Sequence, residues 1–149
     1  MPLGFQDVHL AIHSTLDALD LVQVVTEHIA ARVGLDEEGQ HWTGMAVRET
    51  AINAIVHGNK NDTGKRVFID FAVTPRTSPT DLIVCVRDQG AGFDHEQIDN
   101  PLAAENVLRS SGRGIFLIRQ FMDEVTIGRS SDGGTEVRMR KQIRAGSHA

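Results

Sequence analysis

The chain holds a single cysteine, Cys85, so no disulfide within the chain is possible and a reducing, cytoplasmic compartment is the expected setting. It also lacks long apolar runs: Leu82–Val86 is typical of the longest, at about five residues, where a bilayer span needs roughly 20. No membrane partner is expected. Met1-Pro2-Leu3-Gly4 lacks the basic start and apolar stretch of a secretion signal. An excess of positive charge is missing too. The formal net charge of −5 argues against general nucleic-acid binding, which draws its electrostatic term from a basic surface. With one cysteine and no His-Glu-x-x-His or Cys-x-x-Cys spacing, the seven scattered histidines form no zinc pattern. No Gly-x-Ser-x-Gly elbow occurs, and Cys85 sits inside an apolar run where an inert thiol is expected.

What is present fits one globular domain. At 149 residues, with 40% hydrophobic and 23% charged, the chain has the size and balance to build its own core. Residues 1–143 read as that domain and 144–149 as a frayed tail. Residues 5–12 alternate and predict a strand, with Val8, Leu10 and Ile12 on one face. Ser14, followed by Asp17, has the pattern of a capping box. The helix it would open buries Leu16, Leu19, Val22, Val25 or Thr26, and Ile29, and stops near Gly34. A second helix begins at Asp36-Glu37-Glu38, where negative charge suits the helix dipole, and ends at Gly58. Residues 59–64 are turn chemistry, with Asn59 and Lys60 expected to be solvated.

Strands are predicted at 66–74 and 81–87, then a loop from Asp88 to about Pro101 and a short helical piece over 102–108. A helix over 115–122 and two strands at 124–129 and 135–142 follow, the last two meeting at Asp132-Gly133-Gly134. The order β-α-α-β-β-α-β-β, with clustered strands and segregated helices, predicts an α+β fold. Its sheet should be mostly antiparallel, with helices on one face.

Four segments could carry chemistry, although one of them, Gly133-Gly134-Thr135, is by default a hairpin turn. Glu49, Asn53 and His57 recur every four residues, so all three are expected on one stripe of the second helix, a carboxylate, an amide and an imidazole together. A solvated polar face gives the same pattern. Asp88-Gln89-Gly90-Ala91-Gly92 closes an apolar strand with an acidic acceptor and glycines. Those glycines would let a flat ligand approach the backbone, though a plain turn has the same composition. Gly112-Arg113-Gly114 precedes a helix and would offer backbone N–H groups and a guanidinium to an anion. Its spacing is neither that of the P-loop nor that of the dinucleotide fingerprint.

Taken in order, these segments resemble a known set. Glu49-x-x-x-Asn53-Ala54-x-x-His57-Gly58, Asp88-x-Gly90-x-Gly92-Phe93, Gly112-Arg113-Gly114-Ile115 and Gly134-Thr135 are similar to the N box and the three glycine boxes of the GHKL ATPase superfamily. Within it, the run from Ser111 to Val125 resembles the stand-alone anti-sigma-factor serine/threonine kinases.

The resemblance implies a Bergerat-type two-layer α/β sandwich with a mixed, mostly antiparallel sheet, and it implies roles. Asn53 would bind Mg²⁺, and Glu49 would be the catalytic base. Asp88 would accept from the adenine amine of ATP, with Gly90 and Gly92 letting the base close and Thr135 completing its pocket. Gly112, Arg113 and Gly114 would hold the triphosphate; Asn59 and Lys60 could reach the phosphates too, but a solvated turn is the expected reading. The implied partners are an anti-anti-sigma protein of the STAS type, whose serine or threonine is phosphorylated, a sigma factor, and a second copy of the chain in a homodimer. With no phosphoacceptor-histidine helical domain read before the boxes and no extra domain read after them, neither a sensor histidine kinase nor a topoisomerase is expected. Two other roles would use the same boxes: a nucleotide-binding module acting only by sequestration, and a signalling component with no sigma factor.

Overall fold

The computed structural model describes residues 7–91, 114–131 and 133–143. Within them, strands β1 (Val8–His13), β2 (Arg66–Thr74), β3 (Asp81–Arg87), β4 (Glu124–Arg129) and β5 (Thr135–Gln142) form a five-stranded sheet of order β1-β2-β3-β5-β4. Each of its strand pairs is antiparallel. Helices α1 (Leu19–Arg32), α2 (Glu37–Asn53) and α3 (Gly114–Phe121) accompany it, with a short 3₁₀ turn at Leu16–Ala18 and a π-helical turn at Ala54–Gly58. The result is the expected α+β two-layer sandwich. The predicted helical piece at 102–108 lies outside the described residues.

Period-two alternation builds the sheet. The inward positions line up across it in continuous rows: Leu10, Ile69, Val86, Val137 and Ile127 in one, Val8, Phe71, Val84, Met139 and Val125 in the next. Phe71, Ile69, Val84 and Met139 are fully buried, so these rows are the floor of the core. Leu19, Val22 and Ile29 from α1, with Ala46, Val47, Ala51 and Ile55 from α2 and its extension, form the roof. The buried hydroxyls of Thr26 and Thr50 donate back to the carbonyls of Val22 (2.7 Å) and Ala46 (2.8 Å), so neither enters the core unsatisfied.

The outer face of the sheet carries the other half of each strand. Cys85 lies there, half-buried, opposite Asp70 and Arg138. Burial, then the neighbouring Glu136 carboxylate, pushes its thiol up to about 11, so it stays protonated at neutral pH.

Two local expectations need correction at the start of α1. Ser14 is not the helix cap. Its hydroxyl donates to the carbonyl of Lys65 (2.9 Å) and accepts from Asn59 Nδ2 (2.8 Å), so it joins two distant segments. With that oxygen committed elsewhere, the chain enters α1 through the 3₁₀ turn, and Leu16 is left 55% exposed. At α2 the expectation holds: Asp36 is the N-cap, its carboxylate accepting from Gly39 N (2.8 Å).

Candidate functional site

The site grows from the end of α2. Glu49 and Asn53 stand one turn apart on that helix, Glu49 half-buried and Asn53 only 5% exposed, its amide oxygen Oδ1 enclosed. Beyond Asn53 the bonding pattern changes. Asn59 N donates to Ala54 O (2.8 Å), five residues back, which makes Ala54–Gly58 a π-helical turn. The wider turn alters the angular step per residue, so the regular four-residue stripe does not continue to His57, which is exposed. The structure thus keeps Glu49 and Asn53 together and leaves His57 on the surface.

The π turn also brings Gly58 against Asp88. A Cβ on Gly58 would fall on Asp88 Oδ2, one on Gly90 would fall on the carbonyl of Gly58, and one on Gly134 would fall on the carbonyl of Asp88. Gly58 lies in an ordinary helical turn, so space beside the carboxylate, and not backbone conformation, demands glycine there. Three glycines from three separate segments converge on one acid.

Asp88 itself is 4% exposed. Its Oδ1 accepts from Gly90 N (2.9 Å) and Thr135 N (3.1 Å), while its own N–H donates to Thr135 O (3.0 Å). Among the described residues nothing bonds to Oδ2, which faces Gly58. Burial raises the carboxyl above its ordinary 3.8; the two backbone N–H donors and the charge of Lys65 pull the other way. The arrangement is a fixed, desolvated acceptor packed closely among glycine backbones. It suits a flat ligand that presents an N–H.

The remaining candidates divide. Thr135 and Gly90 meet Asp88 through their backbones, and Gly114 opens α3, which packs on α2. Gly92, Gly112 and Arg113 lie outside the described residues. Sequence reasoning placed Gly58 at the helix end and in the first motif but missed its contact with Asp88. It also misread Asn59, which is 1% exposed and not solvated. An asparagine directly after a helix-ending glycine is a common turn element, so no local signal marks it.

The model of a histidine kinase-like ATPase domain matches residues 12–141. The chain is 32% identical over 99 residues to an anti-sigma F factor of Bacillus velezensis, a match covering 65% of each chain. It is 31% identical to the anti-sigma F factor of Bacillus subtilis, again over 65% of each. The chain thus spans about 65% of the length of these anti-sigma F factors. A serine-protein kinase RsbW of Staphylococcus epidermidis is 26% identical over 144 residues, 92% of this chain and 87% of the relative. With a sheet-and-helix sandwich, an acid at the end of β3 and a family model covering residues 12–141, the chain belongs to the histidine kinase-like ATPase family.

Proposed function

We propose that the chain is an ATP-dependent protein serine/threonine kinase that also acts as an anti-sigma factor. It would phosphorylate an anti-anti-sigma partner and sequester a sigma factor. The observation that carries the nucleotide half is Asp88, a buried carboxylate whose Oδ1 is held by two backbone N–H groups and which is closely packed by Gly58, Gly90 and Gly134. The names of the relatives, anti-sigma F factor and serine-protein kinase, support the rest.

In this reading Asp88 accepts from the exocyclic amine of adenine, Gly92 admits the ring and Thr135 completes its pocket, while the close packing of Gly58, Gly90 and Gly134 holds the acid in place. Asn53 offers a hard amide oxygen at the end of α2, which suits Mg²⁺, a cation that completes its shell with phosphate oxygens and water. The ion would supply charge neutralisation on the phosphates. Gly112, Arg113 and Gly114 would hold the phosphates. Glu49, one turn from Asn53, accepts the proton of the partner's serine hydroxyl. That oxygen bonds to the terminal phosphorus as the bond to the bridging oxygen breaks and ADP departs. A cytoplasmic homodimer is part of the proposal; among the described residues no helix is long and apolar enough to cross a membrane.

The test is transfer of labelled terminal phosphate from ATP, with Mg²⁺, to a STAS-type protein encoded in the same genome, with sigma-factor co-elution measured in parallel. Serine labelling that needs Glu49 supports the kinase. Co-elution without labelling would reduce the role to sequestration, and labelling without co-elution would point to a pathway that lacks a sigma factor.

A further inference from the structure

Among the described residues at the site, Asn59 carries three side-chain hydrogen bonds, and the mechanism makes no use of it. At 1% exposed it is closed to solvent and to phosphate. Nδ2 donates to Ser14 Oγ (2.8 Å) and to the carbonyl of Arg66 (3.0 Å). Oδ1 accepts from Gln89 N (2.8 Å). Both donors of the amide and one acceptor site are therefore used, each by a different segment: the end of β1, the start of β2 and the loop after β3.

The third bond matters most. Gln89 lies between Asp88, the acceptor, and Gly90, whose N–H holds Asp88 Oδ1. Gln89 is clamped a second time, its Oε1 accepting from Arg66 N (2.7 Å). The Asn59 backbone closes the π turn that carries Gly58 against Asp88 Oδ2. One residue thus joins the two segments that meet at the Asp88 carboxylate: the π turn through its main chain and the Asp88–Gly90 segment through its side chain.

We infer that Asn59 is a positioning residue for base recognition, setting the angle of the Asp88 carboxylate through Gln89 without touching the nucleotide. The inference rests on the proposed role of Asp88. Loss of the Asn59 side chain should therefore blur the choice of base as well as lower stability, and the two effects separate experimentally.

The experiment titrates the full chain with ATP and with inosine triphosphate, which carries an oxygen where ATP carries the amine, and records melting temperatures alongside. Asn59→Ala should narrow the ATP preference by roughly three- to tenfold, the worth of one positioned hydrogen bond. Ser14→Ala removes a different partner of the same amide; it should lower the melting temperature and leave the preference intact. Asn59→Asp keeps an acceptor for Gln89 N while losing both donors, so it too should retain the preference. If Asn59→Ala does not fold, the aspartate variant decides, and loss of its preference overturns the inference. Unchanged preference in Asn59→Ala, or equal narrowing in Ser14→Ala, also overturns it. A wild-type chain that does not distinguish the two nucleotides would instead remove the reading of Asp88 on which the inference stands.

Discussion

Gly58 and Asp88 are in direct contact across 30 residues of sequence: there is no room for a Cβ between the end of the π turn and the carboxylate Oδ2 at the end of β3. This one contact joins the helix that carries Glu49 and Asn53 to the acceptor proposed for the base. The contact sits at the end of the π turn that follows Asn53.

Gly58→Ala should therefore act by steric insertion. Forcing a methyl group against a buried carboxylate costs about 1–3 kcal/mol, as other overpacking substitutions do. Thermal melts should show the loss, and ATP affinity should fall with it. A variant with wild-type affinity and melting temperature would mean that the packing around Asp88 relaxes freely.

Asp88 gives a pH signature with a definite sign. Its folded carboxyl titrates above the ordinary 3.8, chiefly through burial. The native state therefore holds this proton more tightly than the unfolded chain does. The stability this contributes is full below 3.8 and is lost as pH rises through the folded value. Asp88→Asn removes that dependence. Relative to wild type, the variant should gain melting temperature towards neutral pH and lose the gain towards acid, while its preference for ATP over inosine triphosphate disappears. A stability difference that stays flat with pH would contradict the assignment.

Asn53→Ala should abolish the Mg²⁺-dependent part of ATP binding and leave the circular dichroism spectrum unchanged. Equal affinity with and without the metal in wild type, or full metal dependence in the variant, would remove Asn53 as a ligand.

Glu49→Gln separates binding from transfer. Losing a positioned general base costs typically 10²–10⁴-fold in rate, so labelling of the partner serine should fall on that scale with ATP affinity kept. Turnover at the wild-type rate would exclude Glu49 as the base.

The helix cap gives a control far from the site. Asp36→Ala removes the acceptor for Gly39 N, worth about 1 kcal/mol, or about 2–4 °C in a domain of this size. Nucleotide affinity should not change.

The strands were legible because alternation is local: β2, β3, β4 and β5 occupy 66–74, 81–87, 124–129 and 135–142, as the pattern predicts. The fold class followed from their clustering. The capping box at Ser14 failed because its hydroxyl is spent on Lys65, 51 residues away, and no local rule sees that bond. Asn59 was misjudged for the same reason, since its partners come from Ser14, Arg66 and Gln89. At the site, Glu49, Asn53 and Asp88 could be named from residue type and spacing. The convergence of Gly58, Gly90 and Gly134 on Asp88 could not, because it is made by the sheet and the π turn together.

The most direct measurement is a calorimetric titration of the purified chain with ATP, with and without Mg²⁺, beside the same titration of Asp88→Asn. Saturable, metal-dependent binding to wild type on the micromolar scale is expected, with marked weakening in the variant. No binding to the wild-type chain under either condition, or identical binding to both proteins, would contradict the proposed nucleotide binding at Asp88.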